Sequence, residues 1–179
     1  MLKVTIPSIE QYDEEKNEFI TSKETVLQLE HSLVSLSKWE SRWCKPFLSK
    51  EEKTHEETID YIVCMTITQN VDPSIYTLIP DNVIKRVNDY IQAQMTATVI
   101  ASQRRGGSRE IITAEIIYYW MVALNIPFEC QKWHLNRLLM LINVCNIKAN
   151  PPKKMSKKEL MARNTAVNAA RRRTLNTKG

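Results

Sequence analysis

The sequence predicts a mainly α protein (α+β): a helical domain with a small N-terminal β-hairpin and a basic C-terminal helical arm. Three observations predict it. The 179 residues include only 3 Gly, too few for a fold crowded with tight turns. Apolar residues recur at three- and four-residue steps from Leu33 onward and read as strand only before it. Charge is divided unevenly along the chain, which separates a body, residues 1–147, from an arm, residues 148–179.

The elements follow in order. Within the first 30 or so residues, Lys3–Ile6 and Glu18–Thr21 are expected to pair as a hairpin around the polar run Asp13 to Asn17. Val26–Leu29 adds a short strand. From Leu33 the period changes, and Leu33, Leu36, Trp39 and Trp43 mark a helix ended by Pro46. Ser49 with Glu52 has capping-box spacing and opens a second helix, striped by Ile59, Ile62, Val63, Thr66 and Ile67 and broken at Asp72-Pro73. Asp81 is expected to cap an amphipathic helix carrying Val83, Ile84, Val87, Tyr90 and Ile91. Residues 93–108 read as an exposed loop, and Ser108 as the N-cap of a helix over Arg109–Asn125.

That helix is apolar all round: 12 of the 14 residues from Ile111 to Leu124 are hydrophobic. It is either central to the core or part of an oligomer interface. A turn at Asn125-Ile126-Pro127 leads into an antiparallel helix, Phe128–Cys145, packed through Leu135, Leu138, Leu139, Ile142 and Cys145. Pro151-Pro152 ends the globular part, and Ser156 with Glu159 opens a last, basic helix.

Composition excludes several classes. With 43% hydrophobic and 25% charged residues the chain is ordinary globular protein. No apolar run approaches the ~18 residues of a membrane span, and the start, Met1 to Pro7, lacks the apolar core of a secretory signal. A soluble protein with reduced cysteines is expected. Cys130 and His134 stand four apart, as two metal ligands on one helix face would. The remaining ligands would have to come from isolated residues such as His31, His55 or Cys64, so a core cysteine beside a satisfied histidine is the better reading. No phosphate loop, nucleophile elbow or zinc-protease motif occurs. The acidic run Glu51, Glu52, Glu56, Glu57 and Asp60 reads as a solvated helix face. No catalytic, cofactor-binding or metal residue is predicted, and the chain is expected not to be an enzyme.

What remains points to binding. Trp39, Trp43 and Phe47 could form an apolar contact surface, with ordinary core as the alternative. After Ile147 there are ten basic residues against Glu159 alone, so an arm of +9 follows a body of −4 in a chain of net +5. Lys153, Lys154, Lys157 and Lys158 lead that arm, which suits an anionic partner, nucleic acid or an acidic protein surface, with a solvated tail that keeps the protein soluble as the alternative. Aromatics interleaved with bases, as single-strand stacking needs, are absent from it.

Three blocks carry a resemblance: LQLEHSLVSLSKWESRWCKPFLS (Leu27–Ser49), YIVCMTITQNVDPSIY (Tyr61–Tyr76), and Arg109–Met155. They resemble the tail assembly chaperones encoded among the tail genes of long-tailed bacteriophages of Gram-positive hosts. The resemblance implies a non-catalytic protein that holds the tape measure protein soluble until tail tube subunits surround it. It implies the host cytoplasm as location and absence from the mature virion. It also admits a longer, frameshifted form, and the all-round apolar helix leaves a homo-oligomer open. The alternatives are a virion structural or connector protein with a basic arm, or a small nucleic-acid-binding protein.

Overall fold

The computed structural model describes residues 1–13, 18–100, 111–150 and 156–175. Contacts divide the chain into two units, Met1–Cys145 and Asn146–Gly179. The fold is mainly helical with a small antiparallel β element in front.

Four strands lie in the first 29 residues: β1 (Leu2–Ile6), β2 (Ile9–Asp13), β3 (Glu18–Ser22) and β4 (Thr25–Leu29). Their pairing corrects the expected hairpin. Lys3–Ile6 lies against β4, with Val4 opposite Leu27, while β2 and β3 pair with each other. The physical reason is the inner face. Val4 and Ile6 on β1 and Leu27 and Leu29 on β4 point to the same, core side, Val4 opposite Leu27, and all four are at most 1% exposed, so this pairing sets four large apolar residues on one face. The free edge of β4 is covered where the chain returns from the second helix: Glu30 N–H donates to Met65 O, and Ile67 N–H to Gln28 O.

Helix α1 (Leu33–Trp43) starts at a Ser32–Ser35 capping box and closes at Cys44 in the left-handed conformation. Helix α2 (His55–Met65) starts five residues later than the Ser49–Glu52 spacing suggests. Thr54 and Glu57 offer the same S/T-x-x-E pattern, and theirs is the box that forms, with reciprocal bonds of 2.8 and 3.2 Å. The helix ends at Met65, so Ile67 leaves the expected stripe and is exposed. Asp72 caps a 3-10 helix, Pro73–Leu78. Helix α3 (Asp81–Gln92) follows with Pro80 at the cap position. Asp81 lies in its first turn and makes no cap hydrogen bond.

Helix α4 (Ala114–Ala123) is shorter than predicted, and Ser108 lies outside the described residues. Its first amide, Ala114 N–H, donates to the Glu40 carboxylate (2.7 Å), a cap supplied from 74 residues away that no local pattern announces. The expected helix Phe128–Cys145 is broken in two: a 3-10 helix, Phe128–Lys132, and α5 (Leu135–Ala149). The break falls at Trp133-His134 because that backbone bonds elsewhere. His134 bridges to Ser32, and Leu135 N–H donates to His31 O at 2.7 Å. Leu135, Leu138 and Ile142 are buried as expected. Pro151-Pro152 lies outside the described residues, and α6 (Lys157–Leu175) opens at the predicted Ser156–Glu159 box.

The first unit holds two apolar clusters. One joins β1, β4, α2 and α3 around Trp39, Tyr61 and Met65; the other joins the start of α1 with α4 and α5 around Ile117, Met121 and Leu138. Phe47 packs against both.

Candidate functional site

The aromatic residues singled out in the sequence do come together, but mostly inward. Trp39 is 1% exposed, and its Nε1–H donates to the Glu57 carbonyl (2.9 Å), so it is core and offers a partner nothing. Phe47 is half-buried. Its ring stacks on Tyr61 (centroids 3.9 Å apart), meets Trp39 edge-on at 5.1 Å, and lies under the Lys53 ammonium at 5.0 Å. Trp43 is half-buried beside Trp39, and its Nε1–H donates to Asp60. The acidic run is also partly structural. Glu57 caps α2 and pairs with Lys45, whose hydrogen bond, with that of the Thr54 amide, holds the carboxyl below its usual range. Asp60 takes Arg42.

Glu40 is the organising carboxylate of this region. Buried at the end of α1, it accepts from Phe47 N–H (2.8 Å) and Ala114 N–H (2.7 Å), fixing the loop after α1 and the start of α4 together. The negative charge sits at the positive end of a helix, a favourable placement.

The sequence places His134 beside Cys130 and His31 alone, with nothing to pair the two histidines. The structure brings their rings to 5.1 Å between the two apolar clusters. His134 Nδ1 accepts from Asn136 N–H, so Nε2 carries the proton and donates to Tyr90 O at 3.0 Å. His31 Nδ1 lies 2.6 Å from Tyr61 Oη. Burial, and then the neighbouring His134, push His31 down to about 3; burial also lowers His134. Both rings are neutral structural groups at pH 7. Cys130 belongs to the 3-10 helix and His134 precedes α5, so they do not share a helix face. Among the described residues no group of three or more His, Cys, Asp or Glu could hold a metal ion. Every buried side-chain N or O described there has a hydrogen-bond partner. The hollow beside Trp39 and Glu57 holds about 30 Å3, room for little more than one water.

The surface that stands out is on α4. Ala114, Ile117 and Met121 are fully buried, but the opposite face carries Tyr119, 68% exposed, and Val122, 60% exposed. Tyr118, half-buried on the same side, contacts Phe128 (centroids 6.4 Å), itself 53% exposed. Among the described residues, the all-round apolar helix is thus buried on one face and exposed on the other. Of the arm lysines, Lys157 and Lys158 are exposed in the first turn of α6, while Lys153 and Lys154 lie outside the described residues. Among the described residues no helix is long and apolar enough to cross a membrane. No protein-family model, curated protein or solved structure matches this chain.

Proposed function

We propose that this chain is a non-catalytic binding protein of phage tail assembly, a chaperone that keeps the tape measure protein soluble before the tail tube forms around it. The reading rests on the resemblance in the three sequence blocks and on one structural observation, the uncovered apolar face of α4. Large exposed apolar side chains on an otherwise well-packed helix mark a contact surface. An elongated helical client would lay its own apolar stripe along Tyr118, Tyr119, Val122 and Phe128. Trp43 and the half-buried Phe47 belong to the supporting layer, and Trp39 to the core. The protein acts in the host cytoplasm and is left behind when the particle is finished.

Co-production with the tape measure protein of the same phage tests the reading. The client should move from the insoluble to the soluble fraction and elute with this chain in fixed ratio, and purified virions should lack this chain. A fixed copy number in virions, with no effect on client solubility, would make it a structural component.

A further inference from the structure

Helix α6 differs in kind from every helix of the first unit. It spans 19 residues, about 28 Å at 1.5 Å per residue, and every one is exposed. Its side chains Leu160, Val167 and Leu175 share one side but are separated by Asn164, Asn168 and Arg171, too sparse a stripe to pack continuously on another helix. Six basic residues stand against Glu159 alone, giving the helix a net charge of +5. Its start is fixed by the Ser156–Glu159 capping box, so the helix meets a ligand largely formed, and less ordering entropy is lost on binding.

The side chains are also sorted by face. Asn164, Val167, Asn168, Arg171 and Arg172 follow the spacing i, i+3, i+4, i+7, i+8 and share one side of the helix. Lys157, Leu160 and Leu175 share that side and Lys158 flanks it, while Arg173 and the alanines Ala162, Ala166, Ala169 and Ala170 lie largely away from it. Asparagine pairs in a bidentate manner with adenine, arginine with guanine, and a small apolar side chain meets the thymine methyl. The lysines suit phosphates, which position a helix without reading sequence.

We propose that α6 is a binding site for double-stranded DNA, lying in the major groove with Asn164, Val167, Asn168, Arg171 and Arg172 toward the base edges. A single helix fits the ~12 Å width of that groove, and its length covers about eight base pairs at 3.4 Å each. Double-stranded RNA is disfavoured because its major groove is too narrow for side chains to read. Single strands are disfavoured because α6 contains no aromatic residue on which bases could stack. An acidic protein surface needs charge alone and gives no reason for two asparagines on the arginine face. The proposal uses no residue of the α4 surface, and its test involves no tail protein.

The full chain is titrated with a labelled 20-base-pair DNA duplex between 50 and 300 mM salt, against RNA duplex of the same sequence and polyglutamate, and is used to select from a random duplex pool. DNA should bind with a log–log salt slope of about −4, from about four phosphates neutralised. RNA duplex and polyglutamate should bind at least tenfold more weakly, and selection should enrich one short motif. Arg171→Gln with Arg172→Gln should weaken binding and relax the motif, whereas Lys157→Gln with Lys158→Gln should weaken binding to all sequences alike and make the slope shallower by up to about 2. Asn164→Ala with Asn168→Ala should keep the slope and lose the motif. Ala166→Pro preserves every charge but interrupts the helix; it should lose the motif and at least tenfold in affinity, with the near-ultraviolet dichroism of the body unchanged. Absence of duplex binding at 50 mM salt overturns the proposal. So does equal binding of DNA, RNA and polyglutamate, an unenriched pool, or an Ala166→Pro protein that binds as well as the parent, since the arm would then be a plain polycation.

Discussion

Acidification between pH 6.5 and pH 5 should cost this fold about 2 kcal/mol through His31 alone. The ring is 2% exposed, lies against Tyr61, and has the ring of His134 at 5.1 Å. Its folded-state value falls to about 3, from an ordinary 6.5. Above pH 6.5 the ring is neutral in both states and contributes no pH dependence. Below it the unfolded chain takes a proton that the folded chain refuses, so stability falls by about 1.4 kcal/mol per pH unit, and the fall continues until the pH reaches about 3. The 1.5 units down to pH 5 thus remove about 2 kcal/mol, whatever the folded-state value, provided it lies well below 5. His134 adds to the loss with the same sign, because burial lowers it too. The groups facing the pair are Tyr61 on α2, Tyr90 on α3, and Glu30, whose carboxylate takes the Tyr90 hydroxyl and the Met1 ammonium. Carboxylates such as Glu57 lose their contribution only at lower pH, so this window isolates the histidines. Urea unfolding at pH 7.0, 6.0 and 5.0 on the parent and His31→Gln measures the effect. The parent should lose stability steadily, and the variant should lose about 2 kcal/mol less over the same range. Equal pH dependence in the two proteins would mean that His31 is hydrated and titrates normally.

Glu40→Gln should destabilise by roughly 1–3 kcal/mol, because it turns an amide NH2 toward one of two backbone N–H donors, Phe47 or Ala114, that need an acceptor; denaturant melts check this. Trp39→Ala should cost about 3–5 kcal/mol as a core deletion, and Trp43→Ala clearly less, since that ring is only partly buried. Equal losses in thermal melts would refute the difference in burial. Truncation after Asn150 keeps all of α5 and removes a helix whose residues are all exposed, so the thermal midpoint should move by no more than a few degrees. Insoluble protein would show that the arm supports the body.

Much of the helical order was legible because its signals are local. The 3.6-residue stripe of α1, the break at Pro73 and the Ser156–Glu159 box all lie within a few residues of what they specify. The features that escaped are set by partners far along the chain. Two capping patterns five residues apart, Ser49–Glu52 and Thr54–Glu57, are equivalent in sequence, and only packing selects the second. The start of α4 depends on Glu40, and the break before α5 on the backbone of His31 and Ser32. The β pairing turned on which register buries Leu27 and Leu29, a choice that the short alternating runs leave open. In the candidate site, aromatic spacing correctly grouped Trp39, Trp43 and Phe47 but could not tell their inner from their outer side. The histidine pair had no sequence signal, since its members lie 103 residues apart.

In the proposed function, the exposed face of α4 is where the client binds. The most direct test compares the parent with a Tyr119→Asp, Val122→Asp double variant, two substitutions at exposed positions that leave the buried Ile117 and Met121 untouched. Each protein is co-produced with the tape measure protein, and the fraction of client kept soluble is measured after thermal melts establish that the variant folds like the parent. The parent should hold most of the client in solution, and the folded double variant at least tenfold less. Equal client solubility with the two proteins would contradict this.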